Sequence, residues 1–157
     1  MKNRFAVDLL LIFAVYAIYW SLIYMATEYN LPDAIGVTPV SGTTGEQFRA
    51  DFNYWAQIIM GVSLFAVLAW YVLGEWGLRA HSTSSGTWTL IWLCLLAMVL
   101  IAAFAAVWMG PQASENGYAL DLFYFGGGVI FFWLATMCFS PLGIKYVVVG
   151  SRIIRRW

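Results

Sequence analysis

The sequence is short of charge. Lys, Arg, Asp and Glu make up 10% of its 157 residues, against about 25% in an average globular chain. Such a chain lacks the polar cover a water-soluble domain needs. Histidine occurs once, as His81, which excludes a haem held by two histidines of one chain and reads as a solvated loop residue. The two cysteines, Cys94 and Cys138, lack CxxC spacing, and isolated cysteines in apolar surroundings behave as small hydrophobes. No Ser-His-Asp order, HExxH, Walker sequence or paired-carboxylate motif is present. Nor is there a basic, wet domain suited to nucleic acid. The expectation is no catalytic residue, no cofactor, no metal and no nucleic-acid partner.

What is there is apolar: 62% hydrophobic and 18% aromatic residues, with a mean hydropathy of +0.77. These residues fall in four blocks, at 5–27, 52–74, 87–109 and 122–144. Each is ~20 residues or longer, the length that crosses a ~30 Å hydrocarbon core as a helix. No period-2 alternation suggests a barrel. The predicted fold is all-α, a single polytopic membrane domain of four transmembrane helices. Loops follow at 28–51, 75–86 and 110–121, with a basic tail at 145–157. Met1-Lys2-Asn3-Arg4 before the first block mimics a secretory signal. However, Tyr16, Tyr19, Trp20 and Tyr24 and the lack of a small-x-small cleavage site make it a retained anchor.

Charge sets the orientation. With the N-terminus in the cytoplasm, Lys2, Arg4, Arg79, Lys145, Arg152, Arg155 and Arg156 lie on that side, seven of eight basic residues, and only Arg49 lies outside. The positive-inside rule therefore predicts an inner-membrane protein with both termini cytoplasmic. Six of eight acids fall outside: Glu28, Asp33, Glu46, Asp51, Glu115 and Asp121. Aromatic rings favour headgroup depth. Tyr24, Tyr29, Tyr54, Trp55, Trp108, Tyr118 and Tyr124 form an expected outer belt, and Trp70, Tyr71, Trp76, Trp88, Tyr146 and Trp157 an inner one.

In the first outer loop Pro32, Gly36, Pro39, Gly42 and Gly45 break any long element. Thr43-x-x-Glu46 and Thr44-x-x-Gln47 both fit a capping box, so the second helix is expected to start near Gly45. Glu75 and Arg79 have the spacing of a surface ion pair, worth only about 0.3–0.5 kcal/mol. Asp51-x-x-Tyr54-Trp55 and Asp121-x-x-Tyr124-Phe125 open the second and fourth helices seventy residues apart. A duplicated hairpin would produce this echo. So would the shared preference of outer entrances for an acid and aromatics, which is the simpler explanation.

Pro141 lacks an N–H and clashes with the preceding turn, so the fourth helix is expected to kink, with Ser140 and Pro141 as the hinge. The kinked, continuous form is favoured over a break followed by a second helix. In the tail Lys145, Arg152 and Arg156 fall within about 40° of one another at helical spacing, while Leu142, Tyr146, Val149 and Ile153 form an apolar stripe. Such a segment suits either the membrane surface or a cytoplasmic projection.

Ionisable groups inside a membrane are costly and mark function. The deep interior has none, and Asp8 and Lys145 sit near the cytoplasmic ends of their spans. Asp8 is expected to hydrate at the interface, or else to pair across the bundle. The absence of a carboxylate chain weakens a pump or ion-coupled transporter. Asn53 and Gln57 share one face of the second helix. Packing through interhelical hydrogen bonds is the default role for such amides, with a polar substrate face as the sharper alternative. At 1.5 Å per residue, Cys94 and Cys138 both lie roughly 10 Å deep, close enough in depth to meet.

The remaining signal is a packing code. Ala102 and Ala106 have small-x-x-x-small spacing with Ala103 adjacent, the pattern by which membrane helices approach closely. Gly126, Gly127 and Gly128 sit within an aromatic run. A free loop there would leave backbone groups unsatisfied in hydrocarbon, so they are expected to be helical and to form a notch. The alanines of the third helix, or a partner chain, are the expected occupants, and Gly127→Leu is expected to disrupt assembly. The leading functional expectation is a non-catalytic subunit or assembly factor of a larger inner-membrane complex, such as secretion, conjugation or transport machinery. Its partners would be the lipid bilayer, other membrane subunits and copies of itself. The alternatives are a small oligomeric channel or transporter with its polar face at Asn53 and Gln57, and a membrane-interfacial enzyme near Asp8.

Overall fold

Apolar runs uninterrupted by proline close their backbone hydrogen bonds internally, and the described residues are accordingly 83% helical. The computed structural model describes residues 2–77, 85–140, 144 and 148. In chain order these form α1 (Lys2–Glu28), a short α2 (Leu31–Ala34), β1 (Thr38–Pro39), α3 (Gly45–Val72), α4 (Ser85–Met109), β2 (Ala113–Glu115) and α5 (Gly117–Phe139). A π-helical stretch, Leu73–Gly77, extends α3. Among the described residues four segments are long and apolar enough to cross a membrane: Ala6–Glu28, Gly45–Glu75, Gly86–Met109 and Gly117–Phe139.

Local chemistry sets the start of α3. The Thr44 hydroxyl accepts from the Gln47 N–H at 3.2 Å, while the Gln47 side-chain oxygen accepts from the Thr44 N–H at 3.3 Å. Of the two candidate capping boxes this is the one that forms, and α3 begins at Gly45. At the other end of the chain's last span, Ser140 is extended (φ −61°, ψ 140°) and α5 stops at Phe139. The residue before a proline is driven out of the helical region in this way. The kink expected at Pro141 and the continuation of the helix lie outside the described residues, as do Arg79, His81, Lys145, Arg152, Arg155 and Arg156.

Helices α3, α4 and α5 pack mutually, and α1 lies chiefly against α3 and α5. Ile12, Ile59, Val99 and Phe132, one from each long helix, are completely buried where they meet.

Two features depart from the sequence reading. The loops are not purely irregular: β1 pairs antiparallel with β2, joining Thr38 to Glu115 and Pro39 to Ala113 with a register shift between them. The expected inner aromatic belt is in part a core. Trp70, Tyr71 and Trp88 are each about 1% exposed, and the Trp70 and Trp88 rings meet edge to face at 5.8 Å. Tyr124, assigned to the outer belt, is also buried, whereas Tyr24, Tyr29, Tyr54, Trp108 and Tyr118 face outward. The Tyr54/Tyr124 echo therefore places its two tyrosines in opposite environments.

Candidate functional site

The three glycines are helical, as their place in α5 requires, and they differ sharply in surroundings. A Cβ on Gly126 would touch nothing within 4 Å. One on Gly127 would sit 2.6 Å from the Tyr19 hydroxyl, and one on Gly128 would sit 2.6 Å from Ile59 Cγ2 and 3.1 Å from Val99 Cγ1. The notch is thus filled within the chain, by α1 at Gly127 and by α3 and α4 at Gly128. The α4 residue that enters it is Val99, not one of the alanines. Ala103 and Ala106 are buried elsewhere along α4, and Ala102 is half-buried against the core.

A polar chain runs through the same place. Ser63 donates to the Gly128 carbonyl at 3.2 Å. Its oxygen is thereby left to accept from the Tyr16 hydroxyl, 2.5 Å away. Three helices are joined by two hydrogen bonds at a point where lipid offers no competing water. Tyr19 stacks flat on Phe131, with centroids 4.1 Å apart and planes at 2°, and so roofs the glycine surface.

A second chain closes the opposite end. The Trp92 indole donates to the Thr136 hydroxyl at 3.1 Å, and the Trp70 indole donates to Ser140 Oγ at 2.9 Å. Ser140 in turn donates to the Thr136 carbonyl. The expected hinge residue is therefore tied into the core just before Pro141. Nearby, the Tyr71 hydroxyl donates to Asp8 Oδ2 at 2.8 Å, so Asp8 is engaged by α3 and is half-buried rather than simply hydrated.

The remaining candidates face outward. Gln57 donates to Asn53 Oδ1 at 3.1 Å along α3 itself; this bond is within one helix, and Gln57 is exposed. Cys94 and Cys138 both lie on the outward surface.

The sequence reading missed the construction of the loops. The Thr38 and Ser114 hydroxyls are 2.9 Å apart, and Ser114 also reaches the Thr38 and Pro39 carbonyls. Asn116, itself left-handed at φ 53°, donates to the Gly36 carbonyl at 2.9 Å. Gly36 has φ +77° and its missing Cβ would lie 3.0 Å from that Asn116 amide, so a glycine is needed for the approach. Val37 is buried beneath. The two loops form one knitted cap over the ends of the helices. Val37-Thr38-Pro39-Val40 between Gly36 and Gly42 was the available signal.

No protein family, no curated protein and no solved structure matches this chain.

Proposed function

We propose that this chain is a non-catalytic subunit or assembly factor of a larger inner-membrane complex, oriented with both termini in the cytoplasm and the cap outside. The observation that carries this reading is the cap. Loops 76 residues apart in sequence are hydrogen-bonded to each other, and the acids Asp33, Glu46, Glu115 and Asp121 lie on or beside them. A preformed acidic surface costs little ordering entropy to dock and complements a basic subunit. Within the span, Tyr16, Ser63, Trp92 and Thr136 are committed to one another or to backbone, which is the chemistry of packing rather than conduction. Purified protein in liposomes should move no solute above the rate of empty vesicles; flux at useful rates would overturn the reading.

A second reading draws on one observation, the outward-facing amide pair of Asn53 and Gln57. If copies of the chain assemble a pore around that face, Gln57→Leu abolishes flux and leaves assembly intact. A site at Asp8, the interfacial-enzyme reading, requires Asp8→Asn to lose activity.

A further inference from the structure

Helix α3 packs against three neighbours, yet one stripe of it faces away from all of them. Tyr54, Gln57, Gly61 and Phe65 recur at helical spacing and are exposed, Tyr54 at 62% and Phe65 at 61%. Ser63, which joins the bundle, points the opposite way. Lipid accounts for the two aromatic rings. It does not account for an amide and a glycine between them.

The depth of Gln57 follows from its neighbours. Ile59 and Val99 both crowd the Cβ position of Gly128 and so share one level of the bundle. Val99 precedes the end of α4 at Met109 by ten residues, about 15 Å at 1.5 Å per residue. Gln57 lies two residues nearer the cap than Ile59, which leaves it about 12 Å inside that helix end. It uses one N–H on Asn53 Oδ1. Its second N–H and its carbonyl oxygen have no partner among the described residues. Hydrocarbon offers them none, and unmade hydrogen bonds there are costly.

Gly61 points the same way. A Cβ there would meet nothing within 4 Å, so packing inside the chain does not require a glycine, and glycine is a poor helix former. On an outward face a small residue lets a second helix approach closely.

The free groups select the occupant. The amide's positive N–H and negative oxygen complement the same two groups turned through a two-fold axis. A second copy in the same orientation also brings its amide to the same depth, with no further requirement on its sequence. We propose that α3 forms a parallel, two-fold interface with α3 of a second copy of this chain, in which the two Gln57 amides exchange a pair of hydrogen bonds and Gly61 sets the close approach. Each Gln57 then has both N–H groups and its oxygen engaged. This interface rests on neither functional reading above.

The test uses the purified full-length protein, labelled separately with donor and acceptor fluorophores and reconstituted together in phosphatidylcholine liposomes. Energy transfer should fall along a monomer–dimer curve as lipid is added. Gln57→Leu should weaken association about tenfold, as expected for two interhelical hydrogen bonds in a membrane, and Gly61→Leu at least as much. Both variants should melt at or above the parent temperature under monomeric conditions, since neither side chain is held by the bundle. With Cys94 and Cys138 replaced by alanine, Tyr54→Cys should oxidise to a covalent dimer, while Trp108→Cys, 75% exposed on α4, should not. Monomers at every lipid ratio overturn the proposal, as does association that both leucine variants leave unchanged. Transfer that follows a trimer or larger ring also overturns it and favours the pore reading, in which Gln57→Leu leaves assembly intact. The liposomes hold no other protein, so failure here leaves the subunit reading and its own test untouched.

Discussion

Replacing the three glycines of α5 by alanine, one at a time, separates packing from helix propensity. Alanine gains about 1 kcal/mol over glycine in a helix, and that gain is common to all three neighbours. The steric terms are not. At Gly126 the new methyl meets nothing, so the variant should be as stable as the parent or more stable by up to about 1 kcal/mol. At Gly128 the methyl would stand 2.6 Å from Ile59 Cγ2, where ordinary contact begins at 3.4 Å. Ile59 is completely buried and Val99 blocks the other side, so neither can retreat without moving a helix. Overpacking of this kind costs about 1–3 kcal/mol. Gly128→Ala should therefore lie about 1–3 kcal/mol below Gly126→Ala, a difference from which the propensity term cancels. Gly127→Ala should fall between them, because its nearest neighbour is the hydroxyl at the far end of the Tyr19 side chain rather than a branched core residue. Equilibrium unfolding in mild detergent micelles reads the series. Equal stability of the Gly126 and Gly128 variants, or the reverse order, would refute the assigned contacts.

Ser63→Ala removes the link between Tyr16 and the Gly128 carbonyl, and should lower stability by about 1 kcal/mol in the same assay. Ser140→Ala leaves the buried Trp70 N–H without its Ser140 partner and should cost about 1–3 kcal/mol, detectable as an unfolding red shift of tryptophan emission that comes earlier than in the parent. In a background with Cys94 and Cys138 replaced by alanine, Thr38→Cys with Ser114→Cys should oxidise to an intramolecular disulfide, since the parent hydroxyls are 2.9 Å apart. The Ser114→Cys single variant should be labelled by a membrane-impermeant thiol reagent from outside intact cells; protection there with labelling from the cytoplasmic side would invert the proposed orientation.

The spans and the start of α3 were legible in the sequence because both are local. A run of ~20 apolar residues declares a span, and Thr44-x-x-Gln47 declares a cap within four residues. Which face of each span is buried was not legible. In a membrane the lipid-facing and core-facing sides are both apolar, so periodicity no longer distinguishes them. Trp70, Tyr71 and Trp88 illustrate this: their position along the chain suggested an interface, while their direction around the helix turned them into the core. The glycines showed that something approaches α5 but not what, and the answer, Tyr19, Ile59 and Val99, comes from three separate helices. The cap stayed hidden for another reason. Strands of two and three residues carry no readable alternation, and their pairing depends on a partner 76 residues away. Asn53 and Gln57 were correctly placed on one face, yet helical geometry alone lets them satisfy each other at i, i+4.

The claim that this chain works as a subunit is tested most directly by native mass spectrometry of the protein extracted from its own membrane in mild detergent. The result expected is a complex of fixed stoichiometry with a different membrane protein, lost when the acids of the cap, Asp33, Glu46 and Glu115, are neutralised together. A monomer or pure homo-oligomer carrying only lipid, unchanged by those substitutions, would contradict it.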